Sequence, residues 1–249
     1  MDKTTLKAIR ALRRKTERTE QGRFVVEGDK GIMELAESSI LVERMYYVST
    51  MERAVPDSHR HLAEQISVKD MERISQMNTP PGMLAVASIP QRTPEDVVHS
   101  VEKSPMSFGL VGCRLQDPGN MGTLIRVADW FGFGGIFITE GTVDPWNAKT
   151  VQASMGSIFR VPIVEVSLEY LQSLTGHFHL EMQGTPHTEM PFESGWIWVG
   201  SESHGFSEID LPHASTAVHI PRLGSAESLN AGVAAAIVCA EVARQKSNL

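Results

Sequence analysis

The sequence is poor in cysteine and in long hydrophobic runs, and both shortages exclude classes of protein. Its 249 residues include two cysteines, Cys113 and Cys239, which lie in apolar stretches and form no CxxC pair. We therefore predict two buried thiols in a reducing compartment, with no disulfide and no metal site. No apolar run approaches the roughly 18 residues that span a bilayer, and the N-terminus lacks the apolar core of a secretory signal.

Three common ligand-binding signatures are also missing. The chain has no GxxxxGK[ST] phosphate loop, no GxGxxG between a first strand and helix, and no GxSxG elbow. These absences argue against P-loop nucleoside triphosphatases, dinucleotide-binding enzymes, the common Rossmann-type methyltransferases and serine hydrolases with a nucleophile elbow. The Gly-rich segment 131–135 is interpreted as a turn in which glycine ends a helix.

Negative charge predominates overall, but its distribution is uneven. The net charge is −7, which is mild evidence against a nucleic-acid partner. Residues 1–23, however, contain eight Lys or Arg residues against three Asp or Glu residues. A basic segment on an acidic chain is typical of a localised phosphate contact, although a solvated helix face would look the same.

The order of predicted elements indicates an α/β protein in two parts. Residues 1–89 mix helices with short strands. Residues 90–105 are polar and contain three prolines, which is typical of a linker. Residues 106–249 alternate strands with helices, which predicts a mostly parallel sheet covered on both faces.

Polar or small residues follow several predicted strands of the second part. Three segments stand out: QDPGNMGTLIRVADW, GSESHGFSEID and HIPRLGSAESLNAGV. In α/β proteins the loops after strands build ligand sites. The residues of interest are Asn120, Arg126, Thr185, Gly200, Glu202, Ile220, Ser228, Leu229 and Asn230.

In order and spacing these segments resemble the three motifs of the SpoU/TrmH family of RNA ribose 2'-O-methyltransferases, in the SPOUT superfamily. The resemblance covers nearly the whole chain. Residues 1–89 are similar to the family's small RNA substrate-binding domain, an α/β fold related to a ribosomal protein. Residues 106–249 are similar to the catalytic domain. The resemblance implies a C-terminal trefoil knot, a homodimer and S-adenosylmethionine as the cofactor.

Five residues match catalytic positions of the family. The resemblance alone assigns these roles, and ordinary alternatives stay open. Arg126 falls opposite an apolar helix stripe, where a solvated arginine is common. Glu202 and Ser228 could equally be helix-capping groups. The five are Asn120, Arg126, Glu202, Ser228 and Asn230.

Four further residues match positions that hold S-adenosylmethionine. Gly200 permits close backbone approach to a ligand. Ile220 and Leu229 would contribute backbone groups on the adenine side. Thr185 is the weakest match, because a turn residue explains it equally well.

We therefore expect S-adenosylmethionine-dependent 2'-O-ribose methylation of RNA, with ribosomal RNA as the substrate, in a bacterial cytoplasm. A transfer-RNA ribose methyltransferase of the same fold is one alternative. An RNA-binding assembly protein without catalysis is the other. No metal is expected, because the methyl group departs from a sulfonium that is already cationic.

Overall fold

The computed structural model describes residues 1–201, 205, 206 and 211–247. Within these residues the α-helices are α1 (Lys3–Ala11), α2 (Lys15–Gln21), α3 (Asp29–Ala36), α4 (Val68–Ile74), α5 (Pro94–Lys103), α6 (Pro118–Phe131), α7 (Ala148–Ala153), α8 (Leu168–Gln172) and α9 (Ala231–Ser247). The strands are β1 (Arg23–Glu27), β2 (Val42–Tyr47), β3 (Ala63–Gln65), β4 (Met83–Ser88), β5 (Phe108–Gly112), β6 (Ile136–Ile138), β7 (Ile163–Glu165), β8 (His177–Pro186), β9 (Gly195–Val199) and β10 (Thr216–His219). Short 3-10 turns occupy Ser49–Ala54, Asp57–Leu62 and Ser157–Phe159.

The chain divides into two compact units. One consists of Met1–Gln91 with Asp144–Arg160, and the other of Arg92–Val143 with Val161–Leu249. The first unit therefore takes in a segment that the sequence assigns to the second part. That segment contains α7, and no local pattern of the sequence distinguishes it from its neighbours.

The first unit contains a four-stranded mixed sheet in the order β1-β4-β2-β3. The segment 144–160 packs on it through aromatic rings and a buried ion pair. Phe24 of β1 is fully buried, with its ring centroid 4.7 Å from that of Trp146. Arg18 of α2 is 4% exposed and donates from Nε to Asp144 Oδ2 at 2.7 Å. These contacts explain why the segment belongs to this unit.

The second unit contains a six-stranded sheet in the order β10-β8-β9-β5-β6-β7, and every strand pair in it is parallel. All residues of β5 and β9 are buried, as expected for strands covered on both faces. The predicted α/β class with a parallel sheet is confirmed. Because the strands are parallel, their carboxyl ends lie at one edge of the sheet.

The predicted linker 90–105 is not irregular. Helix α5 begins within it at a capping box, in which Thr93 and Asp96 exchange side-chain to backbone hydrogen bonds. Pro94 occupies the first helical turn, where its missing N–H costs nothing. The apolar face of α5 is buried through Val97 and Val101. The three prolines therefore delimit a helix of the second unit.

Helix α6 ends as predicted. Gly132 is its C-cap in the left-handed conformation, at φ 71°. The apolar pattern of the sequence predicts one N-terminal helix over residues 4–18, but the structure divides this segment into α1 and α2. Arg14 adopts an extended conformation between them, and the Arg18 guanidinium donates to the Leu12 carbonyl. A side chain thus satisfies a carbonyl that helix continuation would have used.

Cys113 and Cys239 are buried, as predicted, and both are free thiols. Burial raises the pKa of Cys113 and of Cys239. A thiol held in its protonated form is a poor nucleophile.

Candidate functional site

A cavity of about 440 Å³ lies at the carboxyl-end edge of the parallel sheet. Its walls come from the middle of β8, the ends of β9 and β10, the loop 220–230 and the first turn of α9. This volume is within the range of roughly 300–1,000 Å³ that small-molecule sites occupy. The predicted residues among its walls are Gly200, Ile220, Ser228 and Leu229.

Gly200, which directly follows β9, is required by the close return of the chain. A Cβ at this position would lie 2.9 Å from the carbonyl oxygen of Gly205. The Gly205 N–H donates to the Ser201 carbonyl at 2.9 Å, so the loop closes tightly behind the strand. Glu202 falls within this loop and lies outside the described residues, so its catalytic role stays a prediction.

Strand β8 bulges over the cavity. Its pairing with β10 runs from His179 opposite Ala217 directly to Thr185 opposite Val218, so residues 180–184 have no counterpart in β10. Leu180, Glu181 and Met182 of this bulge form one wall.

The structure places Thr185 away from the cavity wall, and its cofactor-binding role stays a prediction. Thr185 lies beyond the bulge in the ladder with β10, and it is not among the residues that line the cavity. The segment that does line it is earlier in the same strand. A bulge depends on the pairing with β10, so the sequence of β8 alone could not reveal it.

The side chain of Asn230 joins α9 to α6. Its Oδ1 accepts hydrogen bonds from the N–H groups of Gly232 at 3.0 Å and Val233 at 3.2 Å, which makes Asn230 the N-cap of α9. Its Nδ2 donates to Oδ1 of Asn120 at 2.6 Å. Two predicted catalytic residues, 110 positions apart, therefore contact each other.

The last helix starts later than the sequence indicates. The sequence pattern predicts a final helix that begins at Glu227, but α9 begins at Ala231 because Asn230 caps it. Ser228 is an exposed loop residue two positions before this cap, so the helix-capping alternative for Ser228 is wrong.

Large apolar side chains remain exposed around the cavity. Met182 is 56% exposed, Leu229 is 48% exposed and Leu223 is fully exposed, and all three line it. Exposed apolar side chains that line a cavity together with a few polar groups are typical of a ligand site. Ile220 is half-buried just after β10, where its backbone borders the same space.

Arg126 does not line this cavity. It lies on the exposed face of α6, whereas Met121, Leu124 and Ile125 on the opposite face are fully buried. Trp130, one turn further on, is 84% exposed. The helical-wheel prediction for this face is confirmed, and an exposed tryptophan beside an arginine is typical of a partner surface.

The described residues contain neither a metal cluster nor a membrane-spanning helix, and they form another cavity elsewhere. No group of three His, Cys, Asp or Glu side chains there could hold a metal ion. No helix in that part of the chain is both long and apolar enough to cross a bilayer. A larger cavity of about 760 Å³ occurs in the first unit, but none of the predicted site residues lines it.

Two family models match the chain. Residues 107–240 match the SpoU rRNA methylase family. The chain belongs to this family. Residues 3–85 match the MRM3-like substrate binding domain, which occurs here in the first unit.

Individual relatives of this SpoU family chain span its whole length. The 23S rRNA (guanosine(2553)-2'-O)-methyltransferase RlmP of Bacillus subtilis is 31% identical over 94% of this chain and 93% of the relative. The structure of a TrmH-family RNA methyltransferase from Porphyromonas gingivalis is 30% identical, with a TM-score of 0.82 over 98% of this chain and 99% of that one.

A second solved structure carries a cofactor. The SpoU methyltransferase AviRb of Streptomyces viridochromogenes, in complex with AdoMet, is 26% identical, with a TM-score of 0.80 over 99% of both chains.

Several residues that line the cavity are not among those predicted from the sequence. Leu180, Glu181 and Met182 depend on the bulge of β8. Arg222 and Leu223 lie in the predicted loop between Ile220 and Leu229, and their types carry no signature. The rule that ligand sites form in loops after strands predicts the loop 220–230, but it does not predict which of these side chains line the cavity.

Proposed function

We propose that the protein is an S-adenosylmethionine-dependent RNA 2'-O-methyltransferase that acts on ribosomal RNA. The observation that carries this proposal is the cavity lined by β8 and the ends of β9 and β10, in a chain that belongs to the SpoU family. The named relative RlmP methylates 23S rRNA, which supports ribosomal RNA as the substrate class.

The chemistry of the cavity fits S-adenosylmethionine. Its apolar walls, including Val199, Val218 and Leu229, suit an adenine ring, and Glu181, Arg222 and Glu227 suit a charged amino-acid end. The AdoMet complex of AviRb, which has the same fold, also supports this cofactor. When bound, S-adenosylmethionine would supply a methyl group on a cationic sulfonium.

The chain's own residues would have to position and deprotonate the ribose. A 2'-hydroxyl is a weak acid and a poor nucleophile, so it must be aligned with the methyl group and lose its proton. Asn120 and Asn230 hold the N-terminus of α9 against α6, beside the cavity. Glu202, which follows β9 in the sequence, is the candidate acidic residue of the active site. Arg126, whose planar guanidinium carries N–H donors and no acceptor, is suited to binding a phosphate.

The proposal includes a homodimer in the cytoplasm and a trefoil knot in the second unit. The exposed Arg126 and Trp130 support a dimer interface on α6. If the partner's Arg126 completes each site, mixing inactive Arg126→Ala and Glu202→Ala chains will restore part of the activity. Heterodimers that form but stay inactive would show that both residues serve the same chain's site.

The basic N-terminal helices would hold the RNA. Lys7, Arg10 and Arg14 are exposed on α1 and at the start of α2. Replacing all three by Gln should weaken RNA binding and reduce the slope of log affinity against log salt by about 3, close to one per contact. An unchanged salt dependence would exclude this surface.

The decisive experiment maps 2'-O-methyl positions in RNA from cells with and without the protein. Loss of one site in ribosomal RNA, restored by the wild-type chain but not by a chain with Glu202→Ala, is the expected result. Loss of a transfer-RNA site would favour the transfer-RNA alternative. No change in any RNA, together with no binding of S-adenosylhomocysteine, would favour an assembly protein without catalysis.

A further inference from the structure

Three charged side chains line the cavity at the strand ends. They are Glu181 in the bulge of β8, Arg222 just after β10, and Glu227 in the loop before α9. Among the described residues that line this cavity, Arg222 is the one with a cationic side chain. The remaining described walls are apolar residues, glycines and two serines, Ser201 and Ser228.

The loop 221–230 holds Arg222 at the cavity. Arg222 follows Pro221, whose ring restricts the backbone directly after the strand. The guanidinium donates from Nη1 to the carbonyl of Ala226 at 3.3 Å, which ties the side chain back across its own loop. This hydrogen bond uses one of the five N–H donors of a guanidinium, and the planar fork of donors matches a carboxylate.

The charge pattern decides which part of a ligand Arg222 attracts. The amino-acid end of S-adenosylmethionine carries an ammonium group and a carboxylate. A carboxylate that enters this cavity is repelled by Glu181 and Glu227 and attracted by Arg222, while the ammonium group has the opposite preference.

We propose that Arg222 binds the carboxylate of the methionine part of S-adenosylmethionine. This inference rests on the proposed function, because it requires that cofactor. Arg222 lies within the third motif segment, but it is not among the site residues predicted from the sequence. A different role, contact with RNA phosphate, would leave cofactor affinity unchanged when Arg222 is replaced.

The test compares two ligands by calorimetry with the full-length protein. S-adenosylhomocysteine carries the amino-acid carboxylate, whereas 5'-methylthioadenosine keeps the adenosine and the sulfur but lacks that end. The test variant is Arg222→Gln. The matched control is Arg92→Gln, which makes the same charge change at an exposed residue of the same unit that does not line the cavity. Thermal unfolding of each variant checks that the fold is retained.

We expect Arg222→Gln to weaken S-adenosylhomocysteine binding about tenfold and to leave 5'-methylthioadenosine binding unchanged, with no effect of Arg92→Gln. Equal weakening of both ligands would overturn the inference, because Arg222 would then act on the loop or on the adenosine end. So would an unchanged affinity for S-adenosylhomocysteine. Failure of the wild-type protein to bind S-adenosylhomocysteine at millimolar concentration would instead overturn the proposed function itself, and this inference with it.

Discussion

Replacing Asn230 separates two contributions that one side chain makes at the start of α9. Its Oδ1 caps the helix through the amides of Gly232 and Val233, and its Nδ2 donates to Asn120 on α6. Serine is also a good N-cap but has no amide N–H to offer. The variant Asn230→Ser therefore keeps the cap and loses the bond to Asn120, whereas Asn230→Ala loses both.

The expected magnitudes follow from these contacts. Loss of an N-cap side chain costs about 1 kcal/mol. Loss of the hydrogen bond to Asn120, whose residue is 7% exposed, costs about another 1 kcal/mol. We therefore expect Asn230→Ser to lower the free energy of unfolding by about 1 kcal/mol and Asn230→Ala by about 2 kcal/mol. Combining Asn230→Ser with Asn120→Ala should cost about 1 kcal/mol less than the sum of the two single changes.

Hydrogen exchange of the Gly232 and Val233 amides is the sharpest assay, because both donate to Asn230 Oδ1. Their protection should fall far more in Asn230→Ala than in Asn230→Ser. Urea unfolding supplies the free energies, and Ser228→Ala in the same exposed loop is the control, with an expected change within about 0.5 kcal/mol. Equal protection in the two Asn230 variants would refute the cap, and strict additivity with Asn120→Ala would refute the bond to α6.

Three further substitutions test the packing within each of the two units. Burial lowers the pKa of His177, so the folded state favours the neutral imidazole. The contribution of His177 to stability is therefore fully present above its unfolded pKa of about 6.5 and is lost as the pH drops below it. His177→Gln should flatten that part of the pH profile of urea unfolding, and an unchanged profile would count against a lowered pKa for His177. Arg18→Ala should lower the free energy of unfolding by about 3 kcal/mol, the low end of the range for a buried ion pair, because it leaves the part-buried Asp144 carboxylate without its cation. A loss below about 1 kcal/mol in urea unfolding would contradict this. Gly232→Ala should lower the midpoint of thermal unfolding, although alanine favours helices. The added Cβ would lie 2.6 Å from the methyl carbon of Thr123 on α6. A higher midpoint would show that α9 and α6 can separate at little cost.

The regular part of the fold could be predicted because local patterns dictate it. The strands β5 and β9 are short apolar runs bounded by polar loops, and parallel pairing buries both their faces. The Gly132 cap likewise follows from a helical stripe that ends at a glycine. The start of α5 could have been recognised as well, since Thr93, Pro94 and Asp96 form a helix-start signal. The three prolines of the segment 90–105 are equally typical of a linker, which is why the sequence predicts one there.

Other features depend on partners that are distant in sequence. The buried pair of Arg18 with Asp144 joins residues 126 positions apart, and nothing near either residue indicates it. The bulge of β8 arises from its register with β10, so the cavity wall is Leu180–Met182 rather than Thr185. Each of these outcomes follows from tertiary pairing, which local propensity and periodicity do not encode.

The contact between Asn120 and Asn230 gives the motif residues a physical connection. Asn230 directly follows Leu229, which lines the cavity, and Asn120 lies on the same helix as Arg126. Six residues of helix place Arg126 about 9 Å along the axis from Asn120. This hydrogen bond and the close approach of Gly232 to Thr123 therefore connect the loop that lines the cavity to the helix that carries Arg126. The glycine at position 232 suits this close approach, because a Cβ there would lie 2.6 Å from the Thr123 methyl carbon.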